Sequence, residues 1–389
     1  MYEIGARIRE LRGKVLTQQE VADLAGVSVQ LIRALEQGSR QTATIGNLAR
    51  IATALDVELV DLFNKRSSMP GHPDSGVVAI RRALTPVDDL FEDLLDDHAV
   101  SLAEARLTID HTWGAYWGGK YDQVLTMVPN ALPQLRATTH AARSDHTPEA
   151  HEFLARTYWV TGCTLVHLGH IDPAWQSIRL ALDAAERGND PLLAATIRGS
   201  IAWQLLAHGR YDESHRISTY AAAMIEPPSN AELPHLSVYG SLILGAAIAA
   251  GRDRRDDEAW HLVSEASGIA ERIGSDRHDY ETYFGPSQVI MQTVDIGVNT
   301  ENYAVALDAS RKMPRESGLP LASRCRHLAD KALAHGRLGN DQKALDALLA
   351  AESMGPDWMK HQTLPRRIIA ELLDRDRRSR LRSLARRLG

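Results

Sequence analysis

Cysteine is nearly absent. Cys163 and Cys325 are the two in a chain of 389 residues, and they form no C-x-x-C pair. Neither a zinc site nor a disulfide framework is indicated by that spacing, which leaves reduced, buried thiols as the expectation. Aromatics make up 5% of the chain while Ala and Leu abound, a balance that favours helix over sheet. A long apolar run is also missing. The longest stretch without Asp, Glu, Lys or Arg, from Leu233 to Gly251, is interrupted by Pro234, His235, Gly240 and Gly245. It reads as a packed helix, not a membrane span. Met1-Tyr2-Glu3-Ile4 shows no basic region followed by an apolar stretch, so no signal peptide and a cytoplasmic location are expected. Catalytic signatures are lacking too: no Walker loop, no GxGxxG and no GxSxG occur. His151-Glu152-Phe153-Leu154-Ala155 opens like a zinc-protease motif but has no second histidine. The expectation is therefore no enzyme, no metal and no cofactor.

Charge is unevenly spread. Residues 1–66 carry 9 basic and 8 acidic side chains, residues 67–365 carry 26 and 39, and residues 366–389 carry 9 and 3. The two ends alone escape the acidic excess, so a polyanion should meet the chain at an end.

The N-terminal end has the pattern to do so. Thr17 and Glu20 form a Thr-x-x-Glu capping box that starts a helix. Ala22 is small where a second helix must cross closely. Gly26 can take positive φ and end the first helix, and Val27 plugs the turn. Ser28 caps the next helix, whose buried stripe is Ile32 and Leu35 and which Gly38 stops. Ile8 and Leu11 give an earlier amphipathic helix, Ile45, Leu48, Ile51, Ala52 and Leu55 a later one, and Leu59, Leu62 and Phe63 close the bundle. This is a helix-turn-helix with its recognition helix over Ser28 to Gln37.

The segment TQQEVADLAGVSVQLIRALEQGSR resembles the phage-repressor (XRE) class of helix-turn-helix domains over about 60 residues. It departs from that class at Thr42-Ala43, where such domains often have Pro. The resemblance implies double-stranded DNA as partner, and implies which side chains meet it. Gln18, at the start of the first motif helix, and Arg40, just past the second, are the phosphate candidates, with Asn47 beside them. Ser28, Val29, Gln30 and Arg33 lie at the start of the recognition helix. Of these, Gln30 suits adenine and Arg33 suits guanine. An exposed polar residue on an arbitrary helix is ordinarily just solvated; the docking geometry of this motif is what aims these positions into a groove. Glu36 is expected to brace the fold through Arg7 or Arg12. Because the charge of the domain is nearly balanced, specific binding calls for a homodimer on a two-fold site.

Residues 67–99 read as a linker followed by an acidic amphipathic helix. Ser67 to Gly76 is rich in Pro, Gly and Ser, and Pro86 to Asp97 reads PVDDLFEDLLDD with Leu90, Phe91, Leu94 and Leu95 inward.

Residues 100–365 repeat. Glycines recur at Gly119, Gly169, Gly209, Gly251, Gly297 and Gly339, with spacings of 50, 40, 42, 46 and 42 residues. The phrases Gly119-Lys-Tyr-Asp-Gln-Val124, Gly169-His-Ile-Asp-Pro-Ala174, Gly209-Arg-Tyr-Asp-Glu-Ser214 and Gly339-Asn-Asp-Gln-Lys-Ala344 align. The copies at Gly251 and Gly297 carry extra residues before Ala259 and Ala304. Glycine ends one helix, and a small residue lets the next cross closely. The units are similar to tetratricopeptide repeats with lengthened helices, which stack into a solenoid with a concave groove. Residues 366–389, rich in Arg and Leu, read as a basic helix capping that solenoid.

As a whole the chain resembles actinobacterial helix-turn-helix regulators with a tetratricopeptide-like effector domain, and more distantly the cytosolic peptide-pheromone receptors of Gram-positive bacteria. The resemblance implies an all-α fold and a transcription regulator whose groove senses a peptide or small-molecule effector. Groove candidates are Tyr158, Trp159, Arg198, Trp203, Tyr239, Tyr283, Ser287, Gln288 and Arg324. The Gly-Pro break in Tyr283-Phe284-Gly285-Pro286-Ser287-Gln288 is expected to open backbone groups inside a helix. The alternative is a protein-interaction scaffold whose helix-turn-helix no longer binds DNA.

Overall fold

A computed structural model describes residues 4–13, 16–40, 43–55, 57, 62, 73–86, 99–375 and 379–388. Among these lie twenty helices and one two-stranded hairpin, so the all-α reading holds. The chain divides into two compact units, residues 1–75 and 76–389.

In the first unit α1 (Ile4–Arg12), α2 (Gln18–Ala25), α3 (Val29–Glu36) and α4 (Ile45–Ala54) surround Ile8, Val21, Ile32, Leu35, Leu48, Ile51 and Leu62, each at most 2% exposed. The expected capping box is present, with Thr17 and Glu20 each bonded to the other's backbone N–H. Gly26 takes φ +59° and lets Val27 donate to the Ala22 carbonyl at 3.0 Å, the turn that a side chain would strain. Ser28 accepts from the Leu31 N–H at 3.2 Å. Gly5 has a separate reason: a Cβ there would sit 1.6 Å from the Leu35 carbonyl oxygen, so α1 crosses α3 backbone to backbone. Of the residues expected to close the bundle, Leu62 is buried, while Leu59 and Phe63 lie outside the described residues, as does most of the linker and the acidic helix.

The second unit opens with the remainder of α5 (Pro73–Leu84) and continues as helical pairs. These are α6 (Leu102–Trp117) with α7 (Tyr121–Ala141), α8 (Thr147–His167) with α9 (Ile171–Gly188), and α10 (Pro191–Ala207) with α11 (Tyr211–Met224). After them come α12 (Leu233–Arg252) with α13 (Asp256–Ile273), α14 (Pro286–Asn299) with α15 (Tyr303–Arg311), and α16 (Leu321–Arg337) with α17 (Asp341–Met354). The short α18 (Pro356–His361) and then α19 (Thr363–Arg375) and α20 (Ser379–Leu388) follow. The basic end is thus two helices. Leu381 and Leu384 are buried, and Arg387 is paired to Glu352 of α17.

One turn repeats between the helices of each pair. A residue in the left-handed region ends the first helix: Gly119, Gly169, Gly209, Arg254, Glu301 and Gly339. In five of these six turns the next residue donates to the carbonyl five positions before it, at 2.9–3.0 Å. Five positions after the left-handed residue stands Val124, Ala174, Ser214, Ala259, Ala306 or Ala344, each no more than 1% exposed. Two glycines of the sequence register are therefore reassigned. Gly251 and Gly297 lie inside α12 and α14, not in turns. They serve close approach instead, with Cβ positions 3.3 Å from Ile296 and 3.0 Å from Ala306. The buried small residue after the fifth turn is Ala306, and Ala304 is exposed. The extra residues in those two copies lengthen the first helix before a turn made without glycine.

The α12 helix is long and apolar enough to cross a membrane. It packs instead against α10, α11, α13 and α14, with 61% of its most apolar window buried. Between α13 and α14 the chain makes β1 (Arg277–Asp279) and β2 (Thr282–Phe284), an antiparallel hairpin. The Gly-Pro pair is thus not a break within a helix. Gly285 joins a strand to α14, where Pro286 occupies the first turn and needs no N–H partner.

Two outcomes test the turn register. Ala259→Leu should destabilise the repeat unit by about 1–3 kcal/mol through overpacking, seen as a lower urea midpoint at constant slope. Arg254→Gly should stabilise it by about 0.5–1 kcal/mol, because the left-handed conformation costs an L side chain more than glycine loses in chain entropy.

Candidate nucleic-acid interface and ligand groove

In the first unit the functional question is what holds α3 and what α3 leaves outside. Leu31, Ile32 and Leu35 bury one face. From behind, Arg12 of α1 donates through Nε to Glu36 Oε1 at 2.8 Å and through Nη2 to Oε2 at 3.1 Å, and Gln18 Nε2 donates to Oε2 at 2.7 Å. Burial alone would raise the Glu36 carboxyl. The bonds from Arg12 and Gln18, with the charges of Arg12 and Arg9, hold it below the ordinary carboxylate range. Three helices are thereby tied at one carboxylate, and the partner in α1 is Arg12.

The opposite face is open. Gln30 and Arg33, one helical turn apart, are exposed, Val29 is half-buried, and Ser28 is exposed with its hydroxyl engaged as the cap. Arg40 is exposed beyond the helix, its backbone N–H donating to the Ala34 carbonyl at 3.0 Å. The Gln18 side-chain amide is turned to Glu36, and the exposed residues around it at the start of α2 are Thr17, Gln19 and Glu20. Asn47 accepts from Arg50 Nη2 at 2.5 Å, and Arg50 Nη1 reaches the Gly26 carbonyl at 3.4 Å. Arg50, one helical turn after Asn47 on α4, was not among the residues chosen from sequence.

In the second unit the first helices of successive pairs line a cavity of about 740 Å³, within the range typical of ligand sites. One wall is aromatic. Trp113, Tyr116 and Trp117 of α6 meet Trp159 of α8, the Trp113 and Trp159 ring centres being 4.7 Å apart edge to face, and Trp203 of α10 continues the wall. The other wall is ionic. Asp295 of α14 accepts from Arg252 of α12 at 3.2 Å and from Arg326 of α16 at 2.6 Å, and Arg326 Nε also reaches Asp330 at 3.0 Å. Burial pushes the Asp330 carboxyl up, against the pull of Arg326, whereas Asp295, flanked by two arginines, stays below its usual range despite burial. A smaller cavity of about 200 Å³ lies beside the hairpin, with Trp203, Thr282, Tyr283 and Gln288 among its walls.

Of the sequence-selected groove residues, Trp159, Trp203, Gln288 and Tyr283 line these cavities. Trp159 is held there by its indole N–H donating to Ser200 Oγ at 2.7 Å. Others lie elsewhere. Tyr158 is in the core and accepts from Arg136 at 3.3 Å, and Ser287 is buried with its backbone N–H on Asp276. Arg198 pairs with Glu186, Tyr239 donates to Glu265, and Arg324 is exposed on neither cavity. The structure adds Trp113, Trp117 and the Arg252–Asp295–Arg326–Asp330 network. Trp113 and Trp117, four apart, were a legible signal; a network drawn from three helices was not.

Residues 8–62 match the Helix-turn-helix family model. No curated protein sequence matches the chain. Among solved structures, a Rap protein complexed with competence and sporulation factor is similar at a TM-score of 0.51 and 12% identity, covering 92% of this chain and 99% of that one. Bacillus thuringiensis PlcR, in complex with the peptide PapR7 and DNA, aligns at a TM-score of 0.40 and 14% identity, covering 91% and 99%. The likeness to the Rap protein is one of fold. The capped α2–turn–α3 geometry and the family match agree, and residues 8–62 are a helix-turn-helix domain of the XRE class.

Proposed function

We propose that the chain is a sequence-specific, DNA-binding transcription regulator of the cytoplasm, working as a homodimer, whose repeat unit senses a peptide or small signal in its concave groove. The observation that carries the DNA half is the α3 helix. Its inner face is buried and its end is clamped by Arg12 and Gln18 on Glu36, while Gln30 and Arg33 stand exposed on the outer face. A helix so fixed can enter a major groove without losing order, and those two side chains suit base edges. Arg40 and the N-terminus of α2 flank it as phosphate contacts. The ligand half rests on the groove, where an aromatic wall faces a buried ionic one across a volume suited to a ligand of drug or short-peptide size. Dimerisation is supported by the modest charge of residues 1–66, since one copy with 9 basic and 8 acidic residues gains little from phosphate alone.

Arg33→Ala and Gln30→Ala should each weaken specific binding by about 1–3 kcal/mol, measured by gel shift of the full chain on duplex DNA from upstream of its own gene at fixed salt. Unchanged affinity in both variants would remove α3 from the interface. We also assign dimerisation to the repeat unit, so the same assay on the fragment 1–66 should show weaker binding than the full chain.

A further inference from the structure

The hairpin between α13 and α14 is built against the preference of its own turn. A two-residue connection places Tyr280 and Glu281 both in the left-handed region, at φ 48° and 52°. Asn-Gly or Gly-Gly relieve that conformation, whereas tyrosine and glutamate bear its steric cost. Strain of this kind persists only where surrounding contacts over-determine it. The contacts lie across the concave face. Glu281 Oε1 accepts from Arg156 Nη1 of α8 at 2.9 Å, with the Glu281 side chain 11% exposed. The Tyr283 ring stands edge-on to Trp117 of α6 at 4.9 Å and is backed by His278 stacked at 4.2 Å. Glu281 and Thr282 also form part of the wall of the large cavity. A hairpin needed only to join two helices has no use for these side chains.

We propose that this hairpin is a resident occupant of the groove, and that the effector is an acidic, aromatic peptide segment that takes the same contacts, a carboxylate on Arg156 and a ring on Trp117. The proposal rests on the reading of the groove as the sensing site and narrows the class of ligand. It accounts for three things together: the strained tip, the carboxylate buried against a helix far away in sequence, and the position of the tip beside the large cavity. Because the tip holds its place at the cost of strain, a free segment offering the same groups without that strain can displace it.

The test uses a fluorescein-labelled synthetic peptide of residues 278–284, His-Asp-Tyr-Glu-Thr-Tyr-Phe, followed by anisotropy against the full chain. In the variant Glu281→Gln/Tyr283→Ala the hairpin loses its carboxylate on Arg156 and its tyrosine ring on Trp117 but keeps His278 and Tyr280 and its buried base, Phe284. The peptide should bind this variant at least about tenfold more tightly than the natural chain. Adding Arg156→Ala, or replacing the peptide's glutamate by glutamine, should each reverse the gain by about tenfold, as the loss of a charge-assisted hydrogen bond does. Glu281→Gln alone, with Tyr283 kept, should give a smaller gain in the same direction and serves if the double variant does not fold. Equal affinity for natural and variant chains, insensitivity to Arg156, or no peptide binding to either variant overturns the proposal. Gel shifts on the same preparations report the regulator reading separately: retained DNA binding without peptide binding sinks the occupant alone.

Discussion

The repeat unit depends on one steric constraint, the buried small side chain five residues after each left-handed turn. Ala174, Ala259, Ala306 and Ala344 are wholly buried there, with Val124 and Ser214 at the two remaining positions. Each permits the second helix of a pair to lie close on the first. At Ser214 the approach is close enough for its hydroxyl to donate to the Ala202 carbonyl at 2.7 Å. Apolar burial drives the stacking of pairs, but it is non-directional; the crossing distance fixes how each pair sits on the next. The curvature that follows brings the first turn round to the far end of the array, where the Cβ position of Gly119 lies 3.6 Å from Trp358 of α18. The cavity is the consequence, since helices that curve this far leave their inner faces opposite one another.

Those inner faces are not equivalent. Indole rings gathered on α6, α8 and α10 give a rigid apolar surface at little cost in side-chain entropy. On α12, α14 and α16 the wall is a closed charge network in which Asp295 is held between two arginines. Such networks bring little net stability, because desolvation offsets the attraction, but breaking one partner leaves a buried charge uncompensated. A ligand that re-pairs Arg252 or Arg326 would therefore act on the mutual setting of three helices at once, while a ligand resting on the indoles alone would not.

How much of this was legible follows from how local each signal is. The helix-turn-helix was readable because Thr17, Glu20, Gly26 and Ser28 act within a few residues of themselves, through caps and a turn whose chemistry does not depend on the rest of the chain. The Gly5 contact with Leu35 was not, since nothing near Gly5 announces a helix thirty positions on. In the repeats, glycine was a reliable sign of a turn only where no other job competed for it. Gly251 and Gly297 serve close packing, and Arg254 and Glu301 make turns without glycine, so counting glycines misplaced two registers out of six. Tyr158 shows the same limit in the candidate site. Tyr158 and Trp159 are adjacent, and only the helical phase, set by neighbouring pairs, sends one into the core beside Arg136 and the other to the groove.

The hairpin is where local and global requirements conflict, and its two ends resolve the conflict differently. At the base the requirements agree. The Phe284 ring lies where a Cβ on Gly240 would be 2.2 Å away, and Asp276 accepts from the Ser287 N–H at 2.9 Å and the Gly318 N–H at 2.8 Å, capping α14 as it anchors the loop. At the tip they disagree, and a strained turn is held by the Arg156–Glu281 ion pair, by Tyr280 beneath the Arg156 guanidinium and beside Asp190, and by the edges of His278 and Tyr283 on Trp117. Apolar burial and backbone hydrogen bonds without strain define a fixed point, while a strained segment held by a few polar contacts belongs to the less stable end of the range of local opening. Any event in the groove that competes for Arg156 or Trp117 therefore acts on the tip before the base. The base in turn carries the N-terminus of α14, the helix whose Asp295 ties the ionic wall together. The tip of the hairpin and the charge network are thus two ends of one mechanical element, and a ligand reaching either end must move α14 or leave the groove as it is.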